Sequence, residues 1–203
     1  MHRAALRHLR SVDPTMAGII DAVGPCRLEV SEGLTHFEAV ARSIVYQQLS
    51  GKAAATIYGR FAARFPRGVV EAGALLRLSE DSLREVGLSR QKAAYLRDLA
   101  TRTASGALPI ETLHTLDDAA VIGHLTTVKG VGLWTAQMFL LFRLGRPDIL
   151  PDLDLGVQKA MKIAYRMRKL PTPERVRKVG ARWAPWRSVA TWYLWRSIDG
   201  DAN

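Results

Sequence analysis

Two short stretches of this 203-residue chain carry the residue types that could do chemistry. The first is Val128-Lys129-Gly130-Val131-Gly132-Leu133-Trp134-Thr135-Ala136, and the second is Leu150-Pro151-Asp152-Leu153-Asp154-Leu155-Gly156. A Gly-x-Gly turn that opens a helix points backbone N–H groups outward at an anion, so the first stretch reads as a phosphate cradle. The second places a carboxylate at the start of another helix. A fixed carboxylate stabilises positive charge that develops in a transition state more than it stabilises a neutral ground state, and it can also orient or deprotonate a water. A phosphate cradle followed by an acid suggests chemistry on a nucleic acid. Asp154 also has a plain structural reading, as an N-cap for the helix containing Val157, Ala160, Met161 and Ala164. Asp152 competes with it for the role of acid.

The elements that must position these residues are helical. Residues 36–48 put Phe37, Val40, Ile44 and Val45 at helical spacing, and Ser50 can cap a run over 52–65 that Pro66-Arg67-Gly68 stops. Ser79 starts a short helix ending at Gly87, and Ser89 opens the next, to about residue 103. Asp117-Asp118 begin the first helix of the hairpin and residues 133–143 form its second, broken by Gly145-Arg146-Pro147-Asp148. Helices follow at 154–166, 173–183 and 185–197. No strand alternation and no internal repeat is found. The expectation is an all-α protein, one domain over 1–203.

Bulk properties agree. A hydrophobic content of 48% can supply a core, and the net charge of +10 favours a polyanionic partner. The charge is unevenly placed. Between Lys159 and Arg196 lie eleven basic residues and a single acid, Glu174, which leaves 18 basic and 18 acidic side chains for the rest of the chain. Cys26 is the only cysteine, so one chain can form neither a disulfide nor a cysteine-held iron–sulfur cluster. The five histidines show no metal-ligand spacing. No stretch approaches 18 apolar residues and the N-terminus lacks a signal-peptide core, so no membrane association is expected. The expected location is cytoplasmic, with the bacterial nucleoid, or nuclear in a eukaryote.

The hairpin turn, the acid twenty residues after Trp134 and the segment Trp183-Ala184-Pro185-Trp186-Arg187-Ser188 together resemble the helix-hairpin-helix DNA glycosylases, over roughly residues 36–196. Within them the chain is most similar to the alkylated-base branch, the 3-methyladenine DNA glycosylase II type. The resemblance implies two helical lobes, about 1–40 with 150–203 and 41–149 with the hairpin 126–134, and an active site in the cleft between them. It implies a monofunctional hydrolase that cuts the N-glycosidic bond of alkylated purines flipped out of double-stranded DNA, acting as a monomer. Asp154 matches the family's acid, since it directly precedes Leu-Gly-Val-Gln-Lys; Asp152 is left a capping or supporting part. Trp134 and Trp195 match pocket-lining positions. Met138 and Leu155 stand at two more that are often Tyr, and Tyr46 and Gln47 would lie at the pocket rim. Trp183, Trp186 and Trp192 are expected in the core.

The Gln47-Gln48-Leu49-Ser50 segment resembles the family's plug loop, which fills the hole left by the flipped base. Register points to Gln48, whereas Leu49 is the better apolar wedge, with Ser50 beside them. Lys129, Gly130, Val131, Gly132 and Thr135 would meet the DNA backbone, with Lys129 standing where the family commonly has Pro. The family also binds a structural Na+ or K+ through hairpin carbonyls, here those of Thr126, Val128 and Val131, and needs no cofactor for catalysis. Bifunctional relatives carry a lysine two residues after the second hairpin glycine, where this chain has Trp134, so no strand cleavage is expected. The first 35 residues leave no room for the N-terminal α/β lobe of some bacterial members. Two other functions fit the same motifs: a non-catalytic DNA-binding module, and a glycosylase for hypoxanthine, ethenoadenine or an oxidised base.

Overall fold

The computed structural model describes residues 2–31 and 33–199. Among these the regular structure is helical, with no strand, and no helix is long and apolar enough to cross a membrane. The helices in chain order are α1 (His2–Val12), α2 (Pro14–Val23), α3 (His36–Tyr46), α4 (Gly51–Ala62), α5 (Ala72–Arg77), α6 (Glu80–Glu85), α7 (Arg90–Ala104), α8 (Asp118–Thr126), α9 (Leu133–Met138), α10 (Leu155–Ala164), α11 (Pro173–Gly180) and α12 (Arg187–Ile198). The chain divides into two compact units, one of Met1–Val30 with Leu140–Asn203 and the other of Ser31–Phe139. Both breaks fall ten residues earlier than positions 40 and 149. The reason for the first is α3, whose Val40, Ala41 and Ile44 are buried in a helix packed on α4 and α7.

In the 31–139 unit the capping residues set the helix starts. Thr35 and Glu38 form a capping box on α3, while Ser50, Ser89 and Asp117 accept from the backbone N–H three residues on, at the heads of α4, α7 and α8. Glu38 is almost fully buried and answers two backbone donors, Thr35 N–H at 2.8 Å and Val70 N–H at 3.0 Å. One expected helix differs. Over 133–143 the α-helical part ends at Met138, and Phe139–Arg143 continue with the wider π-type turn. Phe139, Leu140 and Leu141 are all buried. Three successive side chains do not share one face of a regular α-helix, and widening the turn is how a helix adjusts its register locally.

The other unit contains α1 and α2, which the sequence reading left unassigned, together with α10 to α12. Its core includes Leu9, Met16, Ile20, Val157, Met161, Trp183, Tyr193 and Leu194. A buried acid, Asp13, organises it. One oxygen caps α2 through Thr15 N–H at 3.0 Å and Met16 N–H at 3.1 Å; the other accepts from Tyr165 Oη at 2.7 Å and Trp183 Nε1 at 2.9 Å. Burial first, and then the neighbouring Asp13, push the Tyr165 phenol well above its ordinary value. Asp13→Ala would leave four donors without their acceptor, two of them, Met16 N–H and Trp183 Nε1–H, buried. We expect a loss of about 3 kcal/mol or more in denaturant unfolding; a loss under about 1 kcal/mol would show that the core fills without it.

Candidate active site

The hairpin is held from below by α7. Val131 N–H closes the turn onto the Val128 carbonyl at 3.0 Å, and Gly130 takes a left-handed φ of 77°. A Cβ at Gly130 would lie 2.1 Å from the Tyr95 ring, so glycine is needed for space as well as for φ. Lys129 N–H donates to Asp98 at 2.9 Å, and Arg102 donates to the same oxygen at 2.8 Å. Burial works to raise the Asp98 carboxyl, but those two donors hold it below the usual carboxylate range. Two of the N–H groups expected to face an anion, those of Lys129 and Val131, are therefore committed within the protein. Those of Gly130, Gly132 and Leu133 have no protein acceptor among the described residues.

Beside the hairpin lies a cavity of about 640 Å³, enclosed by residues of the same unit. Of the residues expected near a base or DNA, Tyr46, Gln47, Gln48, Gly130, Trp134, Thr135 and Met138 line it. Thr135 is buried there. Leu49 and Ser50 are not on its wall; Leu49 is 38% exposed and Ser50 caps α4. Gln48, with φ of 55°, occupies a backbone region that non-glycine residues enter at a cost. The sequence reading missed Arg42, Ser43, Ser89, Gln91, Lys92 and Tyr95 in this wall. Arg42 lies over the Tyr46 ring at 4.2 Å, and Gln47 donates its amide N–H to the Gly130 carbonyl at 2.9 Å.

In the other unit, Asp154 is the N-cap of α10. Its Oδ1 accepts from Val157 N–H at 2.8 Å and from Trp195 Nε1 at 2.9 Å. Trp195 stacks on Phe142, with ring centroids 5.9 Å apart and planes 17° from parallel. The indole is thus a hydrogen-bond donor to the acid as well as an aromatic surface. Gly156 permits this approach: a Cβ there would come within 3.0 Å of both Asp154 Oδ1 and Trp195 Cδ1. Asp152 is buried and ion-paired with Arg177, which leaves it a structural role. Leu155, next to the acid, is half exposed, and Trp183 is fully buried in the core. Asp148 takes a two-pronged pair from Arg187, whose hydrogen bonds hold its carboxyl below the usual range.

Of the eleven basic residues in 159–196, Arg177, Arg187 and Arg196 have acidic partners. Lys159, Lys162, Arg166, Arg168, Lys169, Arg175, Lys178 and Arg182 have no ion pair among the described residues, which leaves a cationic surface. No group of three or more His, Cys, Asp or Glu able to hold a metal occurs among the described residues. The carbonyls of Thr126, Val128 and Val131 are neutral oxygens whose chemistry suits a monovalent ion. The Val128 oxygen, which already accepts one N–H, keeps a second lone pair.

The profile of the HhH-GPD superfamily, base excision DNA repair proteins, matches residues 41–185. The chain is 33% identical over 193 residues to DNA-3-methyladenine glycosylase 1 of Schizosaccharomyces pombe, covering 94% of this chain and 85% of that protein. Among solved structures, the S. pombe 3-methyladenine DNA glycosylase Mag1 in complex with abasic DNA superposes with a TM-score of 0.85 at 30% identity, over 96% of each chain. A DNA-3-methyladenine glycosidase from Bacillus halodurans superposes with a TM-score of 0.86 at 33% identity, over 98% of this chain and 90% of that one.

Proposed function

Because the chain belongs to the HhH-GPD superfamily of base excision DNA repair proteins, we propose that it is a monofunctional DNA glycosylase that hydrolyses the N-glycosidic bond of alkylated purines, of the 3-methyladenine type, in duplex DNA. The observation that carries this reading is the carboxylate of Asp154, fixed at the head of α10 by the Val157 amide and the Trp195 indole. Breaking the bond builds an oxocarbenium ion on the deoxyribose, and a preorganised anion stabilises that charge. A purine alkylated at N3 or N7 is already cationic and leaves as a neutral molecule, so no separate general acid is required. Water adds to the sugar carbon, one of its protons passes to solvent or to Asp154, and the product is an intact strand with an abasic site.

The remaining parts follow from the same reading. The Gly130, Gly132 and Leu133 amides, with the side chain of Lys129, receive a phosphate, and a Na+ or K+ on the carbonyls of Thr126, Val128 and Val131 would stiffen the turn. The 46–50 loop enters the duplex when the base leaves the stack. Trp134 and Met138 offer the departing base an aromatic and polarizable wall, and Leu155 borders the acid. The chain works as a monomer, without a catalytic cofactor, wherever the cell keeps its DNA.

Incubation with methylated DNA should release 3-methyladenine and leave unbroken strands, and borohydride should trap no protein–DNA adduct, since Trp134 has no amine to form an imine. Release of no base from alkylated, deaminated or oxidised DNA would reduce the chain to a binding module. Efficient trapping would overturn the monofunctional reading.

A further inference from the structure

Lys92, Tyr95 and Asp98 follow one another at intervals of three along α7, so they share one face of that helix. Each holds a different piece of backbone. Asp98 takes the Lys129 N–H of the hairpin, and Tyr95 fills the space that a side chain on Gly130 would need. Lys92 donates from Nζ to the Val45 carbonyl and to the Gln47 carbonyl, both at 2.7 Å, where α3 ends and the 46–50 loop begins. Those carbonyls have no partner further along α3. The loop is also tied sideways, by the Gln47 amide to the Gly130 carbonyl at 2.9 Å. Its next residue, Gln48, sits at φ 55°, a conformation that persists only when its surroundings fix it.

We propose that Lys92 is a positioning residue: it locks the 46–50 loop in the shape that enters the duplex and, through Gln47, sets that loop against the hairpin. This rests on the glycosylase reading above. One helix face then mounts both the part that receives a phosphate and the part that replaces the flipped base, so gripping the backbone places the plug. Partial burial of the Lys92 ammonium lowers its pKa, in keeping with an amine turned toward protein carbonyls. A lysine that served as a phosphate contact would instead keep its donors toward solvent.

The test compares Lys92→Met with Lys92→Arg, which can still donate to both carbonyls. Base flipping is read by the fluorescence of 2-aminopurine placed beside the lesion in a duplex, in the parent and in the Asp154→Asn background. Lys92→Met should lose most of this signal and excise about tenfold more slowly from duplex, the cost of one or two charge-assisted hydrogen bonds. Lys92→Arg should restore a substantial part of both duplex readouts. Gln47→Leu should produce a smaller loss in the same direction.

The salt dependence of duplex binding should not change, because no phosphate contact is removed. A slope that falls by about one unit would make Lys92 a phosphate ligand and overturn the proposal. No recovery of either readout in Lys92→Arg would overturn it too, since the bonds to the Val45 and Gln47 carbonyls would then not be what the residue acts through. A parent chain that raises no 2-aminopurine signal defeats the glycosylase reading together with this one. A parent signal that Lys92→Met leaves intact defeats this one alone.

Discussion

Asp154→Asn should lower single-turnover excision of 3-methyladenine from duplex by about 10²–10³-fold, the scale on which one preorganised electrostatic group acts. Asparagine makes this a clean substitution. It is as good an N-cap as aspartate, so Val157 N–H keeps its acceptor and α10 its start. Its side-chain oxygen also accepts from Trp195, so the indole stays in place. The charge is removed while both of these bonds are kept, and the transition state is what needs that charge. Affinity for an undamaged duplex should be unchanged or slightly higher, because a negative group near the phosphodiester backbone has been neutralised. Excision within tenfold of the parent would withdraw the catalytic assignment from Asp154.

Gly130→Ala should cost about 2–5 kcal/mol of stability and most of the DNA affinity, with equal losses on unrelated sequences. Two physical effects add. The residue must hold φ near 77°, which costs an L-residue about 1–2 kcal/mol. Its Cβ would then overlap a ring carbon of Tyr95 at 2.1 Å, a body of the side chain and not a movable tip, which adds an overpacking cost of about 1–3 kcal/mol. Gly132 is the control. It has no heavy atom within 4 Å of a built Cβ and no left-handed φ, so Gly132→Ala should fold like the parent. A fall in its affinity would therefore report the approach of the phosphate itself. Denaturant melts and binding to two unrelated duplexes separate these cases. Equal stability of the two variants would contradict the packing of Tyr95 against the hairpin. Tyr95→Ala placed in the Gly130→Ala chain should recover the steric part of the loss and leave the backbone part.

Sequence carried the local features furthest. Ser50, Ser89, Asp117 and Asp154 each mark a helix start by a capping side chain, and each caps the helix it announces. The pair Asp13-Pro14 is the same kind of signal, an N-cap followed by proline at the first helical position, and it could have located α2. What escaped reading depends on distant partners. Gln47 meets Gly130 across 83 positions, and Asp154 meets Trp195 across 41. Trp195 read as an aromatic wall because it stands at a pocket-lining position of the family; its N–H bond to the acid exists only once Gly156 lets α10 and α12 come close. Lys92 gave no signal, since a lysine three residues into a capped helix is ordinary until the end of α3 is laid beside it. The widening after Met138 was hidden for the same reason, because a continuous apolar run looks alike in either helix type.

Asp154 also caps α10, and this couples two pressures that usually oppose each other under mutation. Catalytic groups tend to be held at a cost in stability, so drift that abandons activity commonly gains a more robust fold. Here most replacements of the acid remove a helix cap worth about 0.5–2 kcal/mol along with the charge. Descendants that lost the chemistry would be expected to keep Asp, Asn, Ser or Thr at this position. Aspartate at 154 is therefore weaker proof of activity than it looks, and glycine at 156 with tryptophan at 195 is the combination that tells a working acid from a retained cap.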